Sequence, residues 1–275
     1  VPIVDAGSAQ LDAEPSMRLT SLPMRHPLVL LFALLFGQVP PAYGQGNLRD
    51  TTISMVLVTA SYAYQMPGGD MSLRFGPNSN IGLGAVRKTS GNYLFGVEGG
   101  FLFGDKVNEP GLLRNMINSA GQIVDVDGVM ADVLVYQRGY TVMGVVGKVI
   151  PVAGPNPNSG LLIKLGGGYM RHKIRLQTQK NDVPQLQEEY LEGYDRLSAG
   201  PVLMLFAGYQ NLSNNKRINF QVGFEVMTGF TQPLRAFNFD TERADTDRRM
   251  DGLIGIRAGW TLPIYKSYDD RFHFY

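Results

Sequence analysis

The chain has 275 residues, no cysteine and a formal net charge of +1. Without thiols, disulfides and thiolate metal sites are excluded, and the charge balance excludes the basic bias of a nucleic-acid binder. Charged residues make up 18% of the chain, below the roughly 25% of soluble domains, while glycine reaches 33 residues and aromatics 10%.

The first motif in chain order is a targeting segment. Met24-Arg25-His26 precedes the apolar run Pro27 to Phe36, and the small-residue stretch Ala42-Tyr43-Gly44 follows. A basic n-region, an apolar h-region and a cleavage site predict a secretory signal peptide, with the mature chain starting near Gln45. Met17 serves equally as a start, and the residues before it read as upstream sequence. Residues 1–44 are therefore set apart from a single domain over 45–275. The apolar run is too short for the roughly 20 residues of a membrane-spanning helix. No other stretch is long enough, so an integral membrane fate requires a barrel.

From Ile53 onward the chain alternates. Val56, Val58, Ala60, Tyr62 and Tyr64 share one face of a first strand that ends at Met66, before Pro67-Gly68-Gly69-Asp70. A second strand, Asn78 to Thr89, turns at Ser90-Gly91-Asn92 into a third. In that third strand Tyr93, Phe95, Val97, Phe101 and Phe103 face one way, and glycines with Glu98 face the other. Large apolar residues on one face and small residues with a lone charge on the other fit an inside-out barrel. An excursion over 105–138 follows, with a short helical pattern near Leu112 and a hairpin on Asp127-Gly128; a helix over Met130 to Gln137 is an alternative. The fourth strand, Gly139 to Ile150, alternates poorly. Strands at Gly160 to Leu176, Gly200 to Asn211, Ile218 to Thr231 and Gly252 to Leu262 complete the set, separated by loops over 177–198 and 233–251 and a turn at Ser213 to Lys216. The expected fold is all-β: an antiparallel up-and-down transmembrane β-barrel of about eight strands, each of roughly 10–14 residues, with short turns at one end and long loops at the other.

Several stretches carry a family resemblance. They are Pro67-Gly68-Gly69-Asp70, Arg74-Phe75-Gly76, Asn80-Ile81-Gly82-Leu83-Gly84, Phe103-Gly104-Asp105-Lys106-Val107, Gly121-Gln122-Ile123 and Arg138-Gly139-Tyr140, with Gly259-Trp260 and Leu262-Pro263-Ile264-Tyr265. In these the chain resembles the small outer-membrane β-barrel proteins of the OmpA/OmpX type, and more narrowly uncharacterised barrels of Bacteroidota. The resemblance implies a fold and a compartment, the bacterial outer membrane, and no activity. The aromatic end Phe272-His273-Phe274-Tyr275 resembles the signal read by barrel-assembly machinery.

Four inward charges stand out: Glu98, Lys164, Glu225 and Arg257. Charges in a narrow lumen are costly unless paired, so two carboxylates with two cations predict a salt-bridged plug. Tyr62, Tyr64, Tyr93, Tyr169 and Trp260 are expected as interfacial aromatics. The sequence supports no cofactor. Partners are expected to be outer-membrane lipid and other envelope proteins reached through the long loops, with nucleic acid excluded. Two rival readings are open. One is a rim-active lipid hydrolase built on His172 with Ser198, Asp195 and Glu192, for which no spacing motif speaks. The other is a narrow pore. Asp125-Val126-Asp127-Gly128 lacks the further ligands of a calcium loop and reads as a turn. The acidic loop with Glu188, Glu189, Glu192 and Asp195 reads as a solvated face.

Overall fold

A computed structural model describes residues 51–179, 183–214 and 218–265. The expected signal peptide and the Phe272–Tyr275 tail lie outside the described residues, as do the side chains of Glu188 and Glu189.

Eight antiparallel strands form a closed barrel in sequence order. They are β1 (Met55–Gly69), β2 (Asn78–Lys88), β3 (Tyr93–Gly104), β4 (Asp132–Ile150), β5 (Gly160–Gln179), β6 (Ser198–Leu212), β7 (Asn219–Pro233) and β8 (Arg249–Ile264). Closure comes from β1 pairing with β8, from Val56↔Ile264 to Gly69↔Asp251. With the last strand bonded to the first, no edge is left unpaired. Long connections follow β3, β5 and β7, and the shorter one after β1 carries a four-residue helix, α1 (Met71–Arg74). A second short helix, α2 (Glu188–Leu191), lies between β5 and β6.

The strands outrun several expected limits. β1 continues through Pro67 to Gly69, because Pro67 stands opposite Leu253 at the strand's end. β4 begins at Asp132, so the loop before it is 105–131 and Met130 to Gln137 is not a helix. Its residues 132–137 pair with β5 from Gln179 to Ile174, and that ladder overrides a local helical pattern. The other long loops shrink to 180–197 and 234–248, which places Ser198 and Asp251 inside strands.

β4 also alternates regularly in space. Thr141, Met143, Val145 and Val149 are buried, while Tyr140, Val142, Val146, Lys148 and Ile150 are exposed. Its pattern looks poor in sequence because the inward residues are apolar too. The interior is therefore not a lining of small and polar residues throughout. Met55, Leu57, Leu94, Val149, Leu162 and Leu212 fill one part of it, and Met71, Phe75, Met170 and Ile174 fill another. An eight-stranded barrel is just wide enough for its own side chains.

The outward face is apolar around the whole circumference. Phe224 is 67% exposed, Leu83 66% and Trp260 58%, and each strand contributes such residues.

The Gly166-Gly167-Gly168 run lets β5 approach β4. A Cβ on Gly168 would lie 2.0 Å from the Val142 carbonyl oxygen, whereas one on Gly167 would meet only Leu203 at 3.8 Å. Gly168→Ala is expected to destabilise the barrel by about 1–3 kcal/mol, the range for forced overpacking. Gly167→Ala is expected to stay within ~0.5 kcal/mol of the parent. Urea unfolding of the two variants in detergent measures both.

Candidate functional site

Three tiers of polar contacts occupy the barrel. The middle tier joins the four inward charges expected from the sequence. Lys164 Nζ donates to Glu98 Oε1 at 2.5 Å, and Arg257 Nη1 donates to Glu98 Oε2 at 2.8 Å. Arg257 also pairs with Glu225 through Nη2. Gln65 Nε2 donates to Glu225 Oε1 at 2.8 Å, and Lys164 reaches Gln221 at 3.4 Å. The two carboxylates and two cations come from β3, β5, β7 and β8, so the network ties strands that are not all neighbours. The cavity beside Glu98, Thr141 and Arg257 is about 10 Å³. That is no more than one water molecule needs.

The second tier lies toward the long loops. Asp251, fully buried, accepts from Arg74 Nη2 at 3.1 Å and from Thr231 Oγ1 at 2.5 Å, and contacts His172 Nε2 at 2.9 Å. Arg74 arrives from α1, which folds down so that Met71 and Phe75 are buried. The Phe75 ring meets the His172 ring edge-on at 5.7 Å. Phe75 also bridges to Val107, and Gly76 N donates to the Lys106 carbonyl at 2.9 Å, which fixes the β3–β4 loop over the mouth. At the opposite end, the buried Lys88 donates to Asn158 Oδ1 at 2.8 Å and to the Ile53 carbonyl at 3.1 Å. Both mouths are thus closed by chain segments held on polar contacts.

The third tier is a crown of loops. Arg196, from the β5–β6 loop, pairs with Asp240 of the β7–β8 loop and, at 3.3 Å, with Glu109 of the β3–β4 loop. Arg235 binds Asp195 through Nη2 at 2.7 Å and Glu192 through Nη1 at 2.6 Å. The hydrogen bonds and charge of Asp195 hold the Arg235 guanidinium above its usual pKa. Burial, helped by Asp240, pushes the Tyr194 phenol up.

Register sets Ser198 directly opposite His172, and Arg74 Nη1, whose guanidinium holds Asp251, also donates to Ser198 Oγ at 3.5 Å, but among the described residues no hydrogen bond joins Ser198 to His172, and Asp195 and Glu192 are held elsewhere. His172 faces Asp251 and Phe75, Asp195 binds Arg235 and Lys173, and Glu192 binds Arg235. Ser198 Oγ donates to the Arg196 carbonyl at 3.2 Å. Asp125 Oδ1 accepts the amides of Asp127 and Val129, which closes the hairpin bridged at Val124 and Met130. Among the described residues, no three acidic, histidine or cysteine side chains converge to hold a metal ion. Tyr62, Tyr64, Tyr93, Tyr169 and Trp260 all point outward, between 44% and 58% exposed. Sequence reasoning passed over Arg74, Asp251 and Thr231. Asp251 shares the parity of Leu253 and Arg257, a usable signal once the strand start is known. Arg74 sits in the β1–β2 connection, outside any strand, and gave none.

Arg257→Ala leaves Glu98 and Glu225 buried with one cation between them. A loss of about 3–5 kcal/mol is expected, the cost of breaking a buried pair from one side, measured by denaturant unfolding in detergent. Arg196→Ala removes the contacts among three loops. Limited proteolysis is expected to cut the crown faster while the barrel stays resistant.

No protein-family model matches the chain, and no curated protein matches it. Among solved structures it is similar to Ail, the attachment invasion locus protein of Yersinia pestis, in complex with the heparin analogue sucrose octasulfate. The identity is 14% over 76% of this chain and 99% of that one, at a TM-score of 0.36. It is also similar to Neisserial surface protein A, at 10% identity over 74% and 96% of the two chains and a TM-score of 0.37. The outer membrane protein OprG of Pseudomonas aeruginosa gives 9% identity over 78% and 99%, with a TM-score of 0.33. Likenesses at this level bear on neither ligand nor activity.

Proposed function

We propose that the protein is a non-enzymatic barrel of the bacterial outer membrane that binds envelope or extracellular partners through its loop crown. The observation that carries the reading is the outward apolar belt on a closed barrel. Soluble monomers rarely expose contiguous apolar patches beyond a few hundred Å². Here every strand contributes large exposed apolar side chains, while the charges of Glu98, Lys164, Glu225 and Arg257 lie inside. Among the described residues no helix is long and apolar enough to cross a membrane, and a closed barrel is the other architecture that can. The longest loops are gathered at one end, the arrangement of outer-membrane barrels with short periplasmic turns.

A structural or binding role is favoured over transport by the filled lumen. Against hydrolysis, no hydrogen bond joins His172 to Ser198 among the described residues, and Arg235 holds Asp195 and Glu192. The crown offers a surface: Val124, Val126, Val129 and Met130 are exposed on one hairpin, with Tyr190 64% exposed on the neighbouring loop.

Two experiments test the reading. The purified chain is expected to require detergent and, in a planar bilayer, to show no steady ion conductance; stepwise channels would favour a pore. Replacing 109–129 with a short turn is expected to leave the barrel folded and to abolish co-purification of partners from detergent-solubilised outer membranes. Unchanged partners would remove the crown from the account.

A further inference from the structure

The outward face of the eight strands carries few charged residues, and apart from Asp132 at the tip of β4 they are all cations. Two lie apart from the rest. Arg87 sits 6.0 Å from the Phe95 ring, and Lys148 lies 4.5 Å from the Tyr93 ring, near the short-turn end. The other four are Arg138 on β4 and Arg171, Lys173 and Arg175 on β5, near the long-loop end. Register sets Arg138 directly opposite Lys173, with Arg171 and Arg175 opposite Tyr140 and Tyr136. Arg171 and Arg175 are therefore the diagonal neighbours of Arg138, and the Arg175 charge acts on Arg138. Like charges facing each other across a ladder are destabilising.

Among the described residues little compensates this group. Lys173 reaches Asp195 at 3.3 Å. Arg138 donates to the Gln137 carbonyl at 2.7 Å and stacks 4.9 Å from the Tyr136 ring. Among the described residues no carboxylate pairs with Arg138, Arg171 or Arg175. Arg171 and Arg175 thus stand beside Arg138 with no carboxylate on their forks among the described residues, while Arg138 shares Nη1 between the Gln137 and Gly104 carbonyls and keeps the rest of its guanidinium for another acceptor.

Their height on the barrel identifies the missing anion. On β5 the outward residues Leu161, Ile163, Leu165 and Tyr169 are apolar, and the cations begin at the next outward position, Arg171. That apolar run spans nine residues, the length a tilted strand needs to cross hydrocarbon. The cations therefore sit at headgroup level. Arg138, Arg171 and Lys173 line a groove of about 200 Å³ with Phe101, Tyr140 and Leu197. The groove is below the ~300 Å³ of pockets that enclose a whole ligand, which suits a headgroup whose acyl chains stay outside. A soluble polyanion has no use for the apolar floor beneath it.

The geometry points to a binding site for the phosphorylated headgroup of an outer-leaflet lipid, held by Arg138, Arg171, Lys173 and Arg175, with its chains against Phe101, Tyr140 and Tyr169. The site rests on the outer-membrane reading above. To test it, the full chain is reconstituted in phosphatidylcholine nanodiscs containing a minor fraction of bisphosphorylated lipid A, or the same lipid A after enzymatic dephosphorylation. Native mass spectrometry reads the lipid each barrel retains. The parent is expected to retain the phosphorylated lipid preferentially. Arg138→Gln, Arg171→Gln and Arg175→Gln are each expected to lower that retention about fivefold, the usual contribution of one cation at a membrane surface. The pair Arg87→Gln and Lys148→Gln is expected to leave it unchanged. Equal retention of the two lipids by the inserted parent overturns the site alone, and this comparison needs no variant to fold. Displacement of the lipid by inorganic phosphate at equal concentration overturns the lipid assignment in favour of a free anion. A chain that stays soluble without detergent or disc overturns the membrane reading, and the site with it.

Discussion

Closure of the sheet is the constraint on which the other features depend. Once β8 bonds to β1, every strand has two neighbours, and each side chain must point either to the axis or away from it. The axis has room for little beyond those side chains. An inward charge therefore has to find its counter-charge within the same narrow space. Arg257 does so by touching two carboxylates at once, and Lys164 takes the remaining oxygen of Glu98. The network staples strands on different sides of the barrel, which backbone pairing alone does not do.

Inside and outside treat charge oppositely. Within the lumen, Glu98 and Glu225 are matched by Lys164 and Arg257, and Asp251 is matched by Arg74 with hydrogen bonds from its neighbours. In the crown, Arg196 and Arg235 each bind two carboxylates. On the outer wall of β4 and β5, Arg138, Arg171 and Arg175 gather with no carboxylate partner among the described residues. The buried Lys88 is the exception inside, held by Asn158 and the Ile53 carbonyl in place of a carboxylate.

The plug at the long-loop mouth shows how a short segment can control a larger one. α1 is only four residues long, yet Arg74 fixes it to Asp251, and Phe75 carries the β3–β4 loop through its bridge to Val107. The ion pairs of Arg196 then join that loop to the two others. Lumen and crown form one connected set of contacts, so the loops rest on the barrel's own interior.

Much of this was readable from residue order. Period-two alternation identified the strands and their outward faces. Glu98, Lys164, Glu225 and Arg257 emerged as inward from parity alone, because side-chain direction in a strand is a local property. Strand ends were less legible: β4 and β5 run past their expected limits because each extends the other, and that pairing is invisible along one stretch of chain. The same blindness hid Asp251 until its strand was seen to start at Arg249, and hid the pairing of Arg74 with it, since a residue outside the strands has no parity. It also separated Arg138 from Arg171, Lys173 and Arg175, which lie more than thirty residues away along the chain. Local order determined which way each side chain points. Which side chains meet was decided by register and closure, because both depend on hydrogen bonds between segments far apart in the sequence.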